Sequence, residues 1–332
     1  MPKSSLQYSE LPERAAKVLE DFLPDEELIA QRVAELGDVA AREPDQEGAT
    51  EVLDGVVFTH HFADVDGDKE VVRYHWAECG AGEAIVFLHG IPDSWYEWHH
   101  QMAALSSNYR CIAIDLKGYG QSDKKPGDYR HEAAAEELVR VLDSMGVDRF
   151  TMVTHDRGTM QGDYIAANHP DRVLRYGRGE QHLYHFHPAL APQGELFAEA
   201  PRNGIMDDPR RFVAWAYTWL SSIPVPPDQL RRVIQEISYP DCSRAVPRYF
   251  NSSTFRQEWI DRRERLLAAW QCPVMIMQGY DSKTQPREYY ENVREYLPNA
   301  KDVKVRYLHT GHFWPLEAPA EVTELIRELL EL

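Results

Sequence analysis

From residue 56 onward the chain reads as short apolar runs separated by longer stretches in which apolar residues recur every three or four positions. VVFTHHFADV (56–65) and VVRYHWAEC (71–79) have the alternation and β-branched content of strands, with DGD as the turn between them. AIVFLHG (84–90) precedes a predicted helix over 94–106, YRCIAIDL (109–116) precedes one over 131–145, and RFTMVTHD (149–156) precedes one over 157–169. RVLRYGRGE (172–180) is a further strand. The pattern breaks over about 183–270, a stretch rich in Trp, Tyr, Pro and Arg that reads as helices and loops. It resumes with PVMIMQGYD (273–281), a helix over 286–296, VKVRYLH (303–309) and a last helix over 316–331. Such alternation implies an α/β fold whose mostly parallel sheet carries helices on both faces. A helical insertion between two halves of the sheet forms a cap over its carboxyl edge, where open α/β sheets bind ligands. The core thus spans 51–182 and 271–332, and the cap 183–270.

Residues 1–50 form an acidic helical extension. Leu11, Ala15, Val18, Leu19 and Phe22 share one helical face, as do Leu28, Ile29, Val33 and Leu36, and REPDQEGAT (42–50) is the linker out. These apolar stripes need a cover, supplied by the core or by a second subunit of a homodimer.

Of the 332 residues, 43% are hydrophobic and 11% aromatic, as in globular proteins, and the net charge is −18. That charge argues against nucleic acid or an anionic membrane as partner, because both repel such a surface. Cys79, Cys111, Cys242 and Cys272 lie far apart without a CxxC pair, which fits buried free thiols in a reducing cytoplasm. The first 22 residues hold no apolar run of signal-peptide length, and no run approaches a membrane span. A soluble, cytoplasmic protein is expected.

Three motifs carry chemistry: HGIP (89–92) after one strand, THDRG (154–158) after another, and HTGHFWPLEAP (309–319) near the end. In kind and order they resemble the α/β-hydrolase fold, and within it the epoxide hydrolase and haloalkane dehalogenase branch. The resemblance covers roughly residues 55–332 and weakens in the cap. It implies an eight-stranded sheet, no cofactor and no metal. Asp156 takes the strand-to-helix elbow, where Gly158 lets the backbone turn sharply. A serine there needs a base before it can attack a carbonyl; an aspartate is already ionised, and the helix N-terminus behind it favours the anion. A carboxylate is a poor opener of carboxylic esters and a competent nucleophile at saturated carbon. The enzyme-bound ester that results is cleaved by water activated by a histidine. His312 is the candidate base, and His155 beside the nucleophile reads as structural.

The remaining roles follow from the resemblance. The amides of Ile91 and Arg157 form an oxyanion hole. The acid that orients His312 is either Glu180, at the end of the strand before the cap, or Asp281, after the strand that follows it. By the family's G-x-x-D spacing Ser282, rather than Asp281, holds the second slot. Cap tyrosines Tyr217 and Tyr249 would protonate an epoxide oxygen as it leaves. Haloalkane dehalogenases carry Trp after the nucleophile where this chain has Arg157. Fluoroacetate dehalogenases share HDRG but place an arginine three residues on, where this chain has Met160. Thr154 and the polar RYGRGEQ run imply a more polar site than usual, and HLYHFH (182–187) lacks the acid spacing of a metal cluster. The expected function is opening of an epoxide on a mid-sized organic substrate. A dehalogenase with the same nucleophile and a non-hydrolytic binding protein on the same fold are the alternatives.

Overall fold

Among the described residues nine strands make one sheet in the order β1-β2-β3-β5-β4-β6-β7-β8-β9. In chain order they are β1 (Thr50–Leu53), β2 (Val56–Asp66), β3 (Val71–Gly80), β4 (Glu83–Leu88), β5 (Tyr109–Ile114), β6 (Phe150–His155), β7 (Val173–Gly179), β8 (Val274–Gly279) and β9 (Val303–Leu308). The pairs β1–β2, β2–β3 and β3–β5 are antiparallel and the others parallel. The computed structural model describes residues 25–68, 70–184, 197–252, 260–285 and 287–332. The helical stripe from Leu11 to Phe22 lies outside them, as do His185 and His187.

The count of nine corrects the expected eight. TEVL, to which the sequence pattern gave no strand, pairs with β2 through a two-residue turn at Asp54 and Gly55, with Leu53 opposite Val56. Both turn residues have positive φ, 50° and 77°, as the tightest hairpins require.

Among the described residues the helices of seven residues or more are α1 (Glu26–Leu36), α2 (His99–Leu105), α3 (His131–Ser144), α4 (Arg157–Asn168), α5 (Pro209–Leu220), α6 (Pro227–Ile237), α7 (Cys242–Ser252) and α8 (Pro319–Leu330). The helix expected over 286–296 is instead two 3₁₀ turns, Arg287–Tyr290 and Val293–Tyr296. Asn292 between them adopts a left-handed φ of 57°, which an α-helix cannot continue through.

Every residue of β6 and β8, and all but the first of β4, is buried, as expected of strands covered on both faces. The parallel strands end together, so the segments following Leu88, His155, Gly179, Gly279 and Leu308 emerge along one edge of the sheet. All four cysteines are buried and free. No helix among the described residues is long and apolar enough to cross a membrane.

α1 starts where the Asp25 side chain accepts from the amides of Glu27 (3.0 Å) and Leu28 (3.2 Å), and stops at Gly37 with φ 65°. It packs on α5 and α6, burying Ile29 and Leu36. Arg32 donates to the Val225 carbonyl (2.7 Å), Arg231 to that of Leu36 (2.9 Å), and Arg210 pairs with Asp38 (3.0 Å). Ile29, Val33 and Leu36 of the α1 stripe are therefore covered by its own chain, while Leu28 stays exposed. Leu36→Ala should destabilise the fold by about 2–5 kcal/mol, measured by urea unfolding. An unchanged midpoint would show that this contact contributes nothing.

Candidate active site

Asp156 occupies the turn between β6 and α4 with φ 43° and ψ −109°, a strained conformation for a residue with a side chain. Gly158 makes the turn feasible: a Cβ there would stand 2.4 Å from the Leu88 carbonyl oxygen. Its amide donates to the His89 carbonyl (2.8 Å), tying the elbow to the end of β4. The Asp156 side chain does not cap the helix behind it. Its Oδ2 accepts from the Ile91 amide (3.1 Å), next to the cis Ile91–Pro92 peptide, and its Oδ1 from Nε2 of Gln181 (3.3 Å).

His312 Nδ1 faces Glu180 Oε2 at 3.0 Å. The same carboxylate accepts from Gln278 Nε2 (2.6 Å), the Gly279 amide (2.9 Å), Ser282 Oγ (2.6 Å) and Thr284 Oγ1 (3.2 Å). Of the two acids weighed from the sequence, Glu180 is the one that reaches the histidine. Asp281 is exposed, and its amide is held by the Thr310 carbonyl at 3.0 Å. Its neighbour Ser282, in the slot the spacing marked, donates to Glu180.

A cavity of about 40 Å³ lies between these groups and the segment joining β7 to β8. Asp156, Arg157, Glu180, Gln181, Thr284 and His312 give it a polar floor, and Phe197, Phe212, Trp215, Leu220 and Phe250 an apolar roof. The Arg157 guanidinium is 3.1 Å from His131 Nε2 and lies over the Phe250 ring, 3.8 Å from its centroid.

The two cap tyrosines are not brought to the cavity. Tyr217 does not line the cavity: its hydroxyl donates to Asp93 Oδ2 (2.7 Å) and its ring stacks on Phe313 at 3.9 Å. Burial and the nearby Glu97 hold the Asp93 carboxyl well above the usual carboxylate range. Tyr249 is buried among Tyr119, Tyr129 and His131. The polar residues of β6 and β7 also serve elsewhere. Thr154 Oγ1 is 3.0 Å from Thr159 Oγ1, and Arg178 grips Asp163 through Nε (3.0 Å) and Nη2 (2.9 Å), behind the elbow rather than in the cavity. Among the described residues, Asp54, His99 and His100 are grouped closely enough to hold a metal, and none of them lines the cavity.

Gln181, Thr284 and Glu317 escaped the sequence reading. Glu317 accepts from the amides of Ser222, Ile223, Gly311 and Phe313 at 2.8–2.9 Å, clamping the loop that carries His312. The available signal was position: each follows a strand end or lies within the HTGHFWPLEAP run.

Residues 83–176 match the family model for the alpha/beta hydrolase fold. The chain has the α/β-hydrolase fold. Among proteins of this fold its likeness is to epoxide hydrolases. It is 39% identical to epoxide hydrolase 2 of Siraitia grosvenorii over 36% of this chain and 39% of that one. It is 35% identical to bifunctional epoxide hydrolase 2 of Rattus norvegicus over 37% and 23% of the respective chains. The matches thus span well under half of these relatives. Among solved structures, Cfl2 of Burkholderia cenocepacia superposes with a TM-score of 0.69 at 25% identity, covering 82% of this chain and 95% of that one. A putative acyltransferase from Salmonella enterica reaches 0.72 at 23% identity over 86% and 98%, a likeness of fold alone.

His155 of this α/β hydrolase points away from the cavity, with Nδ1 2.6 Å from Glu97 Oε1 and Nε2 2.8 Å from the His312 carbonyl oxygen. Burial works against its charge, but Glu97 outweighs that and raises its pKa to about 9. Because the folded value lies above the unfolded one of about 6.5, the associated stability is complete below pH ~6.5 and is lost as pH rises through 9. Thermal melts between pH 6 and 10 should show that loss in the wild type and a flatter profile in His155→Gln. Parallel profiles would mean that the imidazole is neutral throughout.

Proposed function

We propose that this α/β hydrolase opens an alkyl electrophile by attack of Asp156, and that the electrophile is an epoxide on a mid-sized organic molecule. The observation that carries the reading is a carboxylate, rather than a hydroxyl, at the elbow, opposite a histidine braced by Glu180. In the first step an Asp156 oxygen gives an electron pair to carbon while the carbon–oxygen bond of the ring breaks, leaving its pair on the ring oxygen. With Nδ1–H donated to Glu180, Nε2 of His312 is free to take a proton from water. That water attacks Cγ of the ester, and the charge developing on the second Asp156 oxygen falls on the Ile91 amide. Collapse restores the carboxylate, and the two protons of the water end on the two oxygens of the diol. The names of the relatives support the epoxide as substrate.

One observation favours the second reading, a haloacid dehalogenase: Arg157 and Trp215 line the cavity, and neither Tyr217 nor Tyr249 does. A halide leaves as a stable anion and asks only for weak N–H donors. A guanidinium beside the nucleophile would suit a substrate carboxylate.

Both readings require an ester on Asp156, and its mass tells them apart. His312→Gln should stop after alkylation and accumulate a stoichiometric adduct on residue 156, seen by intact-mass analysis and peptide mapping. With styrene oxide the adduct carries the whole reagent; with bromoacetate it carries the reagent less hydrogen bromide. Diol or glycolate formed by the wild type without any trapped adduct would point to direct attack by water. Glu180→Gln should cut turnover by about 10³–10⁴-fold, while Asp281→Asn leaves it unchanged. Equal effects of the two would remove Glu180 from its assigned role.

A further inference from the structure

We infer that the side-chain amide of Gln181 is a positioning group that aims the attacking oxygen of Asp156; this rests on the reading of Asp156 as nucleophile. Two consecutive residues at the end of β7, Glu180 and Gln181, both line the cavity. In a regular strand they would point to opposite faces. Glu180 has a φ of 53°, which breaks the alternation and turns both side chains toward the same space. Glu180 goes to His312 (3.0 Å) and Gln181 to Asp156 (3.3 Å), so one dipeptide touches both reacting groups.

The orientation of the Gln181 amide follows from its other end. Its Oε1 accepts from the His182 amide at 3.3 Å, which leaves Nε2 to face Asp156 Oδ1. The residue is 2% exposed, and its own carbonyl accepts from the Tyr290 hydroxyl at 2.9 Å, so its base is fixed. Asp156 Oδ2 is held by the Ile91 amide and becomes the ester carbonyl; Oδ1 is therefore the oxygen that attacks. With Oδ2 alone held, the carboxylate can still turn about Cβ–Cγ and swing Oδ1 off the line to carbon. A second donor fixes the plane. A hydrogen bond also draws charge from an attacking oxygen, but at 3.3 Å that withdrawal is weak. Once the oxygen–carbon bond forms, Oδ1 is an ester oxygen and a poor acceptor. Gln181 thus acts on alkylation and not on the hydrolysis that follows.

The experiment measures the two steps separately. Gln181→Met keeps the bulk and removes the donor. Gln181→Glu keeps an acceptor for the His182 amide and, when ionised, likewise offers no donor to Asp156. Alkylation is followed by intact mass in the His312→Gln background with styrene oxide and with bromoacetate, and ester hydrolysis in single turnovers with His312 intact. Both variants should alkylate at least about tenfold more slowly at saturating reagent, with KM and ester hydrolysis within about threefold of the parent. Thermal melts confirm the fold, and Gln181→Glu serves if Gln181→Met fails to fold. Alkylation within threefold of the parent, or equal slowing of both steps, would overturn the role of Gln181 and leave Asp156 as nucleophile. No adduct from either reagent in the parent would overturn the reading of Asp156, and this inference with it.

Discussion

The carboxylate of Glu180 holds the site together. It is 1% exposed, and a buried anion is tolerable only if its lone pairs are filled. Five groups fill them: the side chain of Gln278, the amide of Gly279, the hydroxyls of Ser282 and Thr284, and the ring of His312. These come from the end of β8, the loop beyond it and the loop after β9, while Glu180 itself ends β7. One anion therefore joins the ends of three neighbouring strands, and the histidine is one of its five donors. The ring receives its tautomer and its direction from the same contact that makes the buried charge affordable.

The loop bearing His312 is held equally firmly from the other side. Its amide donates to the Leu220 carbonyl at 2.9 Å, and a Cβ on Gly311 would stand 2.1 Å from that same oxygen. Only glycine lets the loop lie so close to the last turn of α5. Glu317 completes the join, since its four amide donors belong to the His312 loop and to Ser222 and Ile223 just beyond α5. α5 also supplies Trp215, Ala216 and Leu220 to the cavity wall. Any motion that opens the roof by shifting the end of α5 must strain or break these bonds. α5 is thus held at its near end by α1 and at its far end by the His312 loop.

What was legible in the sequence follows from this arrangement. Asp156, Glu180 and His312 lie at or just beyond the ends of apolar strands, and a strand's end is the part of an α/β fold that its sequence marks best. Asp281 was a candidate for the same reason, yet a shift of one residue on a turn sends the side chain outward and leaves Ser282 facing in. Tyr217 and Tyr249 failed differently. Helical periodicity says that Ala216, Tyr217 and Leu220 are buried, but not whether each faces the cavity or the core, and an unforeseen carboxyl, Asp93, took the Tyr217 hydroxyl. The first strand could have been found, since Asp54–Gly55 between TEVL and VVFTHH is a strong hairpin signal. The supports of Glu180 could not, because they are ordinary polar residues until the fold brings them to one carboxylate.

The unusual polarity of β6 and β7 has its explanation behind the elbow. Asp163 on α4 is fully buried and receives Arg178 from β7, Arg262 at 2.6 Å from the segment before β8, and the Tyr176 hydroxyl at 2.8 Å. Arg262 in turn lies 2.6 Å from His182 Nε2, just past Gln181. Two guanidiniums on one carboxylate, all out of water, form a costly set that apolar side chains of similar volume could replace without loss of stability. What apolar side chains could not replace is direction. Each of these bonds fixes an angle between α4, whose first turn carries Asp156, and the strand end that carries Glu180 and Gln181. The polar layer therefore serves registry: it sets the helix that follows Asp156 against the dipeptide that touches both Asp156 and His312.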